Sequence, residues 1–137
     1  MTDLAMAVVV HDGKVLIQKR FRHSLGMVFE FPGGSVDEGE FPIVAASREL
    51  FEETGLTDLP ALGRHSYKNQ LGGDIEFTIF QLVEGQTPQA VDPERQQTFY
   101  WYTLQQIPRQ DLFPADLEFI DSQLSHYLDL STLTNIE

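Results

Sequence analysis

The stretch covering residues 33–56, GGSVDEGEFPIVAASRELFEETGL, narrows most what this chain can fold into. Pro42 suits a first helical turn, and Gly55 sits where a helix ends. Between them Ile43, Ala46 and Leu50 recur at helical spacing, which predicts an amphipathic helix behind a glycine-rich turn. The same helix carries Glu49, Glu52 and Glu53 at i, i+3 and i+4. Like charges at that spacing cost about 0.2–0.5 kcal/mol per pair. At roughly 100° per residue the three acids fall within one arc, about a quarter-turn from the apolar stripe. Such a face is either solvated or a seat for a hard divalent cation. Oxygen donors of this kind suit Mg²⁺ or Mn²⁺, and Mg²⁺ is typically shared with substrate phosphates.

The flanking chain reads as a mixed sheet. AMAVVV (5–10) and VLIQK (15–19) are joined by His11-Asp12-Gly13-Lys14, a hairpin signal. A loop with Arg20, Arg22 and His23 follows, then a strand at 28–31 ended by Pro32-Gly33-Gly34. Residues 61–68 form another strand. After Gly72-Gly73, DIEFTIFQLV alternates Ile75, Phe77 and Ile79 with Glu76 and Thr78, as a half-buried strand does. Residues 84–98 are polar with two prolines and read as a long loop. Residues 99–102 read as a strand and 104–107 as a single helical turn. Asp116 caps a last helix with Leu117, Ile120, Leu124 and Leu128 on one face. The expectation is one α/β or α+β layered domain over residues 1–137.

Charge and composition set limits on function. A net charge of −12, from 21 acids against 9 basic residues, disfavours duplex nucleic acid and anionic membranes. A small anion is still within reach if a metal ion supplies positive charge locally. The absence of cysteine excludes disulfides, zinc–thiolate sites and cysteine nucleophiles. The apolar run at 5–10 is too short to span a membrane, and MTDLAMAVVV lacks the basic start of a secretory signal. A cytoplasmic location is the default expectation.

From Gly34 the spacing runs Gly, five residues, Glu40, seven residues, Arg48-Glu49-Leu50, one residue, Glu52-Glu53, one residue, Gly55-Leu56. All nine specified positions are those of the Nudix hydrolase signature. Average residue usage makes a chance match in a given window rarer than about one in a hundred million, so the solvated-face reading gives way. The chain resembles that family over essentially its whole length. The resemblance implies an α/β/α sandwich around a central mixed β-sheet. It also implies divalent-metal-dependent hydrolysis of a nucleoside diphosphate linked to a further group.

Carried over by position, Glu49, Glu52 and Glu53 resemble the metal ligands, with the Gly33 carbonyl as a further one. Arg48 resembles the arginine that orients a catalytic glutamate, and Glu40 the glutamate that braces the loop. Lys19, Arg20 and Arg22 lie where family geometry brings cations near the phosphates. The late acid found in many members has Asp92 and Glu94 as candidates here, and Glu94 is the choice. IPRQDLFPADLEFI resembles the base-reading segment of enzymes that hydrolyse oxidised purine nucleoside triphosphates. Phe113 with Pro114 would be its apolar platform and Asp116 its base contact.

These resemblances imply a MutT-like enzyme that converts a nucleoside triphosphate to monophosphate and pyrophosphate. ADP-ribose, dinucleoside polyphosphates and nucleotide sugars remain alternatives, as does a nucleotide-sensing module without catalysis. The expected partner is a small nucleotide, with no duplex nucleic acid or membrane, and the chain acts as a monomer or homodimer.

Overall fold

The computed structural model describes residues 2–69 and 72–133. Its strands are β1 (Leu4–His11), β2 (Lys14–Arg22), β3 (Gly26–Glu30), β4 (Gly33–Ser35), β5 (Ala61–Lys68), β6 (Asp74–Gln81) and β7 (Thr98–Tyr102). Its helices are α1 (Pro42–Thr54), α2 (Pro114–Phe119) and α3 (Ser125–Leu133), the last two joined by a π-helical turn at Ile120–Leu124. The seven strands form one mixed sheet ordered β3-β2-β1-β6-β5, with β4 on β1 and β7 on β2.

β1 shows why the sheet is mixed. It pairs parallel with β6 along its length, from Leu4 opposite Ile75 to Val10 opposite Gln81. On its other side it meets β2 only near the hairpin, at Val10–Val15 and His11–Lys14. There Asp12 and Gly13 take positive φ of 49° and 77°, as a two-residue turn between right-twisted strands requires. Beyond that point β2 splays away, and Leu4, Ala5 and Met6 pair instead with Ser35, Gly34 and Gly33. The glycine pair therefore enters the sheet as β4, where the sequence predicted only a turn.

Helices cover both faces, as expected for an α/β/α sandwich. Ala5, Ala7, Val9, Leu16 and Phe80 pack with Ala45, Ala46, Leu50 and Leu56 of the α1 segment. On the opposite face Val8, Val10, Ile17, Phe77 and Ile79 pack with Phe119, Ile120, Leu124 and Leu128 of the C-terminal helical run. Phe119 stacks on Phe77 with ring centroids 4.7 Å apart. β6 is not the half-buried strand its alternation predicted. It lies between β1 and β5 with both faces covered, so Thr78 is fully buried and Phe80 packs under α1. Pro42 and Gly55 bracket α1 as expected, and the Gly55 N–H donates to the Phe51 carbonyl from a left-handed φ of 78°.

Candidate active site

The last two turns of α1 lie over β4, and a salt-bridged loop closes the other side. The Arg48 guanidinium donates to both Glu40 oxygens, each at 2.9 Å, to Glu49 Oε1 at 3.0 Å and to the Ser35 carbonyl at 3.1 Å. Glu52 Oε1 lies 3.5 Å from Arg48 Nη1. Glu40 also accepts from the Asp37 N–H, so it ties loop to helix. The Arg48 hydrogen bonds, and then that N–H, hold the Glu40 carboxyl down to about 2. In this arrangement the arginine offsets the repulsion written into the helix.

The three helix carboxylates run from interior to solvent instead of sharing one exposed stripe. Glu53 is 1 % exposed, Glu49 is half-buried and Glu52 is exposed. Glu53 Oε1 accepts from Gln18 Nε2 at 2.8 Å, and Oε2 from the Gly33 N–H at 2.9 Å. Burial pushes its carboxyl up to about 7 against those two hydrogen bonds, with Glu30 and Glu49 adding to the rise. Glu30, also buried, is gripped by Arg22 through hydrogen bonds of 3.0 and 2.8 Å. Arg20 Nη1 and Arg95 Nη1 each stand 3.7 Å from Glu53 Oε1. Gln97 Nε2 donates to the Glu53 main-chain carbonyl at 2.7 Å and to Gln18 Oε1 at 2.9 Å.

The sequence reading missed Gln18, Glu30, Arg95 and Gln97. One signal was available for Gln18. β2 does not end at Lys19 but runs to Arg22, because β3 pairs with it from Gln18 to Arg22. Gln18, Arg20 and Arg22 thus share one face by strand alternation, and Arg20 and Arg22 are strand residues, not loop residues. The same alternation turns Lys19 away. Its ammonium sits 5.3 Å from the Phe29 ring centroid, apart from the two arginines.

Glu94 is exposed on the turn Pro93–Arg95, where its N–H donates to Asp92 Oδ1. Its neighbours Arg95 and Gln97 are the loop residues that reach Glu53. Asp116 is not the first cap of the last helix. Phe113 holds that place and is exposed, and Asp116, in the first turn, accepts from the Phe113 N–H at 3.3 Å. Asp116 is 3 % exposed, and burial pushes its carboxyl up to about 7 against that hydrogen bond.

Among the described residues no three acids or histidines converge in a set that could hold a metal as they stand. Arg48 draws Glu49 and Glu52 while Glu53 turns inward. The residues nevertheless fit a hard cation in kind. The donors are all oxygen, and the backbone leaves room for them: a Cβ built on Gly34 would fall 2.6–2.9 Å from the Glu49 carboxylate. Gly34→Ala is therefore expected to displace Glu49 and lower kcat at least about tenfold. The thermal midpoint should move little, because the clash is with the end of a flexible side chain. A midpoint that drops in step with kcat would show that the glycine serves the fold instead.

The NUDIX domain family profile matches residues 1–123, and the chain belongs to the Nudix family. An RNA pyrophosphohydrolase of Caulobacter vibrioides is 51 % identical over 53 residues, covering 39 % of this chain and 31 % of that protein. An ADP-ribose pyrophosphatase of Bacillus subtilis is 42 % identical over 55 residues, covering 39 % of this chain and 30 % of that protein. The matched segments thus span about a third of these curated relatives' length. The fold resembles that of a MutT Nudix hydrolase of Burkholderia pseudomallei, with TM-score 0.67 and 26 % identity over 89 % of this chain and 97 % of that one. No described helix is long and apolar enough to cross a membrane.

Proposed function

We propose that this chain is a divalent-metal-dependent pyrophosphohydrolase of nucleoside triphosphates, ordinary or oxidised, yielding monophosphate and pyrophosphate. The observation that carries this reading is the graded row of carboxylates on α1. It runs from buried Glu53 to exposed Glu52 beside the Gly33-Gly34 strand, with arginines close by. Glu49, Glu52, Glu53 and the Gly33 carbonyl would hold Mg²⁺ or Mn²⁺. Such a cation, when bound, neutralises phosphate charge and lowers the pKa of a water for attack on phosphorus.

The chain's own groups prepare that seat. Gln18 and the Gly33 N–H fix both oxygens of Glu53. Arg48 holds Glu49. Arg20, loosely paired at 3.7–3.8 Å with Glu53 and Glu30, has donors to spare for phosphate oxygens. Glu94, on its exposed turn, remains the acid candidate from the late loop. Asp116 would read the base, donating a hydrogen bond when protonated and accepting one when ionised, with Phe113 as an apolar edge. The substrate is a small nucleotide rather than duplex nucleic acid or a membrane. The catalytic unit is one domain over residues 1–137, active as a monomer or homodimer.

Both curated relatives carry names that refer to pyrophosphate chemistry, which supports the diphosphate as the common element. A panel of nucleoside triphosphates, oxidised purine triphosphates and ADP-ribose, assayed with Mg²⁺ for phosphate and pyrophosphate, tests the reading. Pyrophosphate release from triphosphates is expected. Turnover of ADP-ribose alone would move the substrate to a sugar nucleotide. Binding without any turnover would leave a nucleotide sensor.

A further inference from the structure

The arginines around the carboxylate cluster fall into two groups. Arg48 donates four hydrogen bonds of 2.9–3.1 Å, and Arg22 two of 2.8–3.0 Å, so both are committed to the protein. Arg95 makes no guanidinium hydrogen bond to the described residues. Its approaches are 3.7 Å to Glu53 Oε1 and 3.9 Å to Asp92 Oδ2. Arg20 is more buried but also weakly engaged, with a 3.5 Å contact to the Phe21 carbonyl and ion pairs of 3.7 and 3.8 Å. These two guanidiniums come to the same oxygen of Glu53, one from β2 and one from the loop ahead of β7.

The loop that carries Arg95 is held in place. The Arg95 N–H donates to the Asp92 carbonyl at 3.1 Å, and Asp92 Oδ1 accepts from the Glu94 N–H at 3.0 Å. Two residues on, Gln97 bonds the end of α1 and Gln18. A side chain with 30 % of its surface open and unused donors, on a turn closed by its own bonds and tied to the cluster by Gln97, is prepared for an anion.

We propose that Arg95 is a phosphate-binding residue and that with Arg20 it clamps the phosphate chain of the substrate. This rests on the pyrophosphohydrolase reading and adds to it a ligand that the acidic helix does not supply. Phosphate oxygens accept charge-assisted hydrogen bonds of about 2.7–2.9 Å, closer than the 3.7 Å at which either arginine now stands from Glu53. The anion therefore draws both guanidiniums off the buried carboxylate, and Glu53 keeps its bonds from Gln18 and Gly33. The residue after Glu94, not Glu94 itself, reaches the cluster.

The test compares Arg95→Gln, Arg95→Lys and the remote Arg64→Gln with wild type in Mg²⁺. One arm measures KM and kcat for a nucleoside triphosphate. The other measures calorimetric Kd for imidodiphosphate, a non-hydrolysable pyrophosphate mimic. Arg95→Gln is expected to raise both KM and Kd about tenfold or more, with kcat within about threefold of wild type. Arg95→Lys, which keeps the charge and loses the fork, should fall between the two, and should decide the matter if Arg95→Gln folds poorly. Arg64→Gln should change neither. KM and Kd within about twofold of wild type, or a lower kcat at unchanged KM and Kd, would overturn the proposal. If wild type hydrolyses no nucleotide, the functional reading fails while the imidodiphosphate arm still judges Arg95.

Discussion

Glu53→Gln should lower metal-dependent turnover by at least about a thousandfold, roughly 4 kcal/mol of transition-state stabilisation, while leaving the fold intact. Glutamine keeps the volume but removes one oxygen and the charge. Its amide can still accept from either Gln18 or Gly33, and its NH₂ then faces the other donor. That mismatch costs about 1–3 kcal/mol. It is offset because a neutral amide escapes the desolvation that pushes the Glu53 carboxyl up to about 7. Stability and activity should therefore separate. Circular dichroism melting beside single-turnover hydrolysis measures both, and turnover near that of wild type would remove Glu53 from the mechanism.

Asp116→Asn is expected to raise stability at pH 8 by up to about 4 kcal/mol and to change it little at pH 4. The folded state raises this carboxyl from 3.8 to about 7, so it binds the proton more tightly than the unfolded chain does. Three units at about 1.36 kcal/mol each give the upper figure. The sign follows: the stabilisation is complete below the unfolded value and is lost as pH rises through 7. Asparagine has nothing to titrate, so the variant's stability should fall less steeply between pH 4 and 7 than that of wild type. Part of the slope persists, because Glu53 rises to about 7 as well. Urea unfolding at the two pH values reads the difference, and an equal shift at both would contradict a buried charge at Asp116. If Asp116 also reads the base, KM should rise for one nucleobase and not for the others.

What the sequence made legible was what local spacing encodes. The Asp12-Gly13 hairpin, the Pro42-to-Gly55 helix and the apolar stripe of the last helix follow from turn chemistry and a 3.6-residue period. The Nudix spacing named the carboxylates. Nothing local announced β4, whose glycines have no side-chain pattern and become a strand only because β1 leaves β2. Thr78 looked exposed because its burial depends on α1, which covers that face of the sheet and lies far away in sequence. Glu30 reaches the site only through the pairing of β3 with β2, and Gln97 through a distant partner, meeting Gln18 across 79 positions. The inward face of Gln18, Arg20 and Arg22 was legible only to a reading that let β2 run to its end.

The parallel pairing of β1 with β6 also has a consequence for how the site comes into being. Leu4 meets Ile75 and Val10 meets Gln81, so the central strand waits for most of the chain before it gains its longest neighbour. Contacts of such sequence separation make folding slow. Glu53 depends on the same timing, since Gln18, Gly33 and Gln97 come from three separate segments. On a growing chain the acidic helix is written early, yet Gln97, the last of these partners, lies 44 residues beyond Glu53. The seat is complete only once the segment with Gln97 has docked, so a nascent chain carries the family's spacing before it carries all the partners of Glu53.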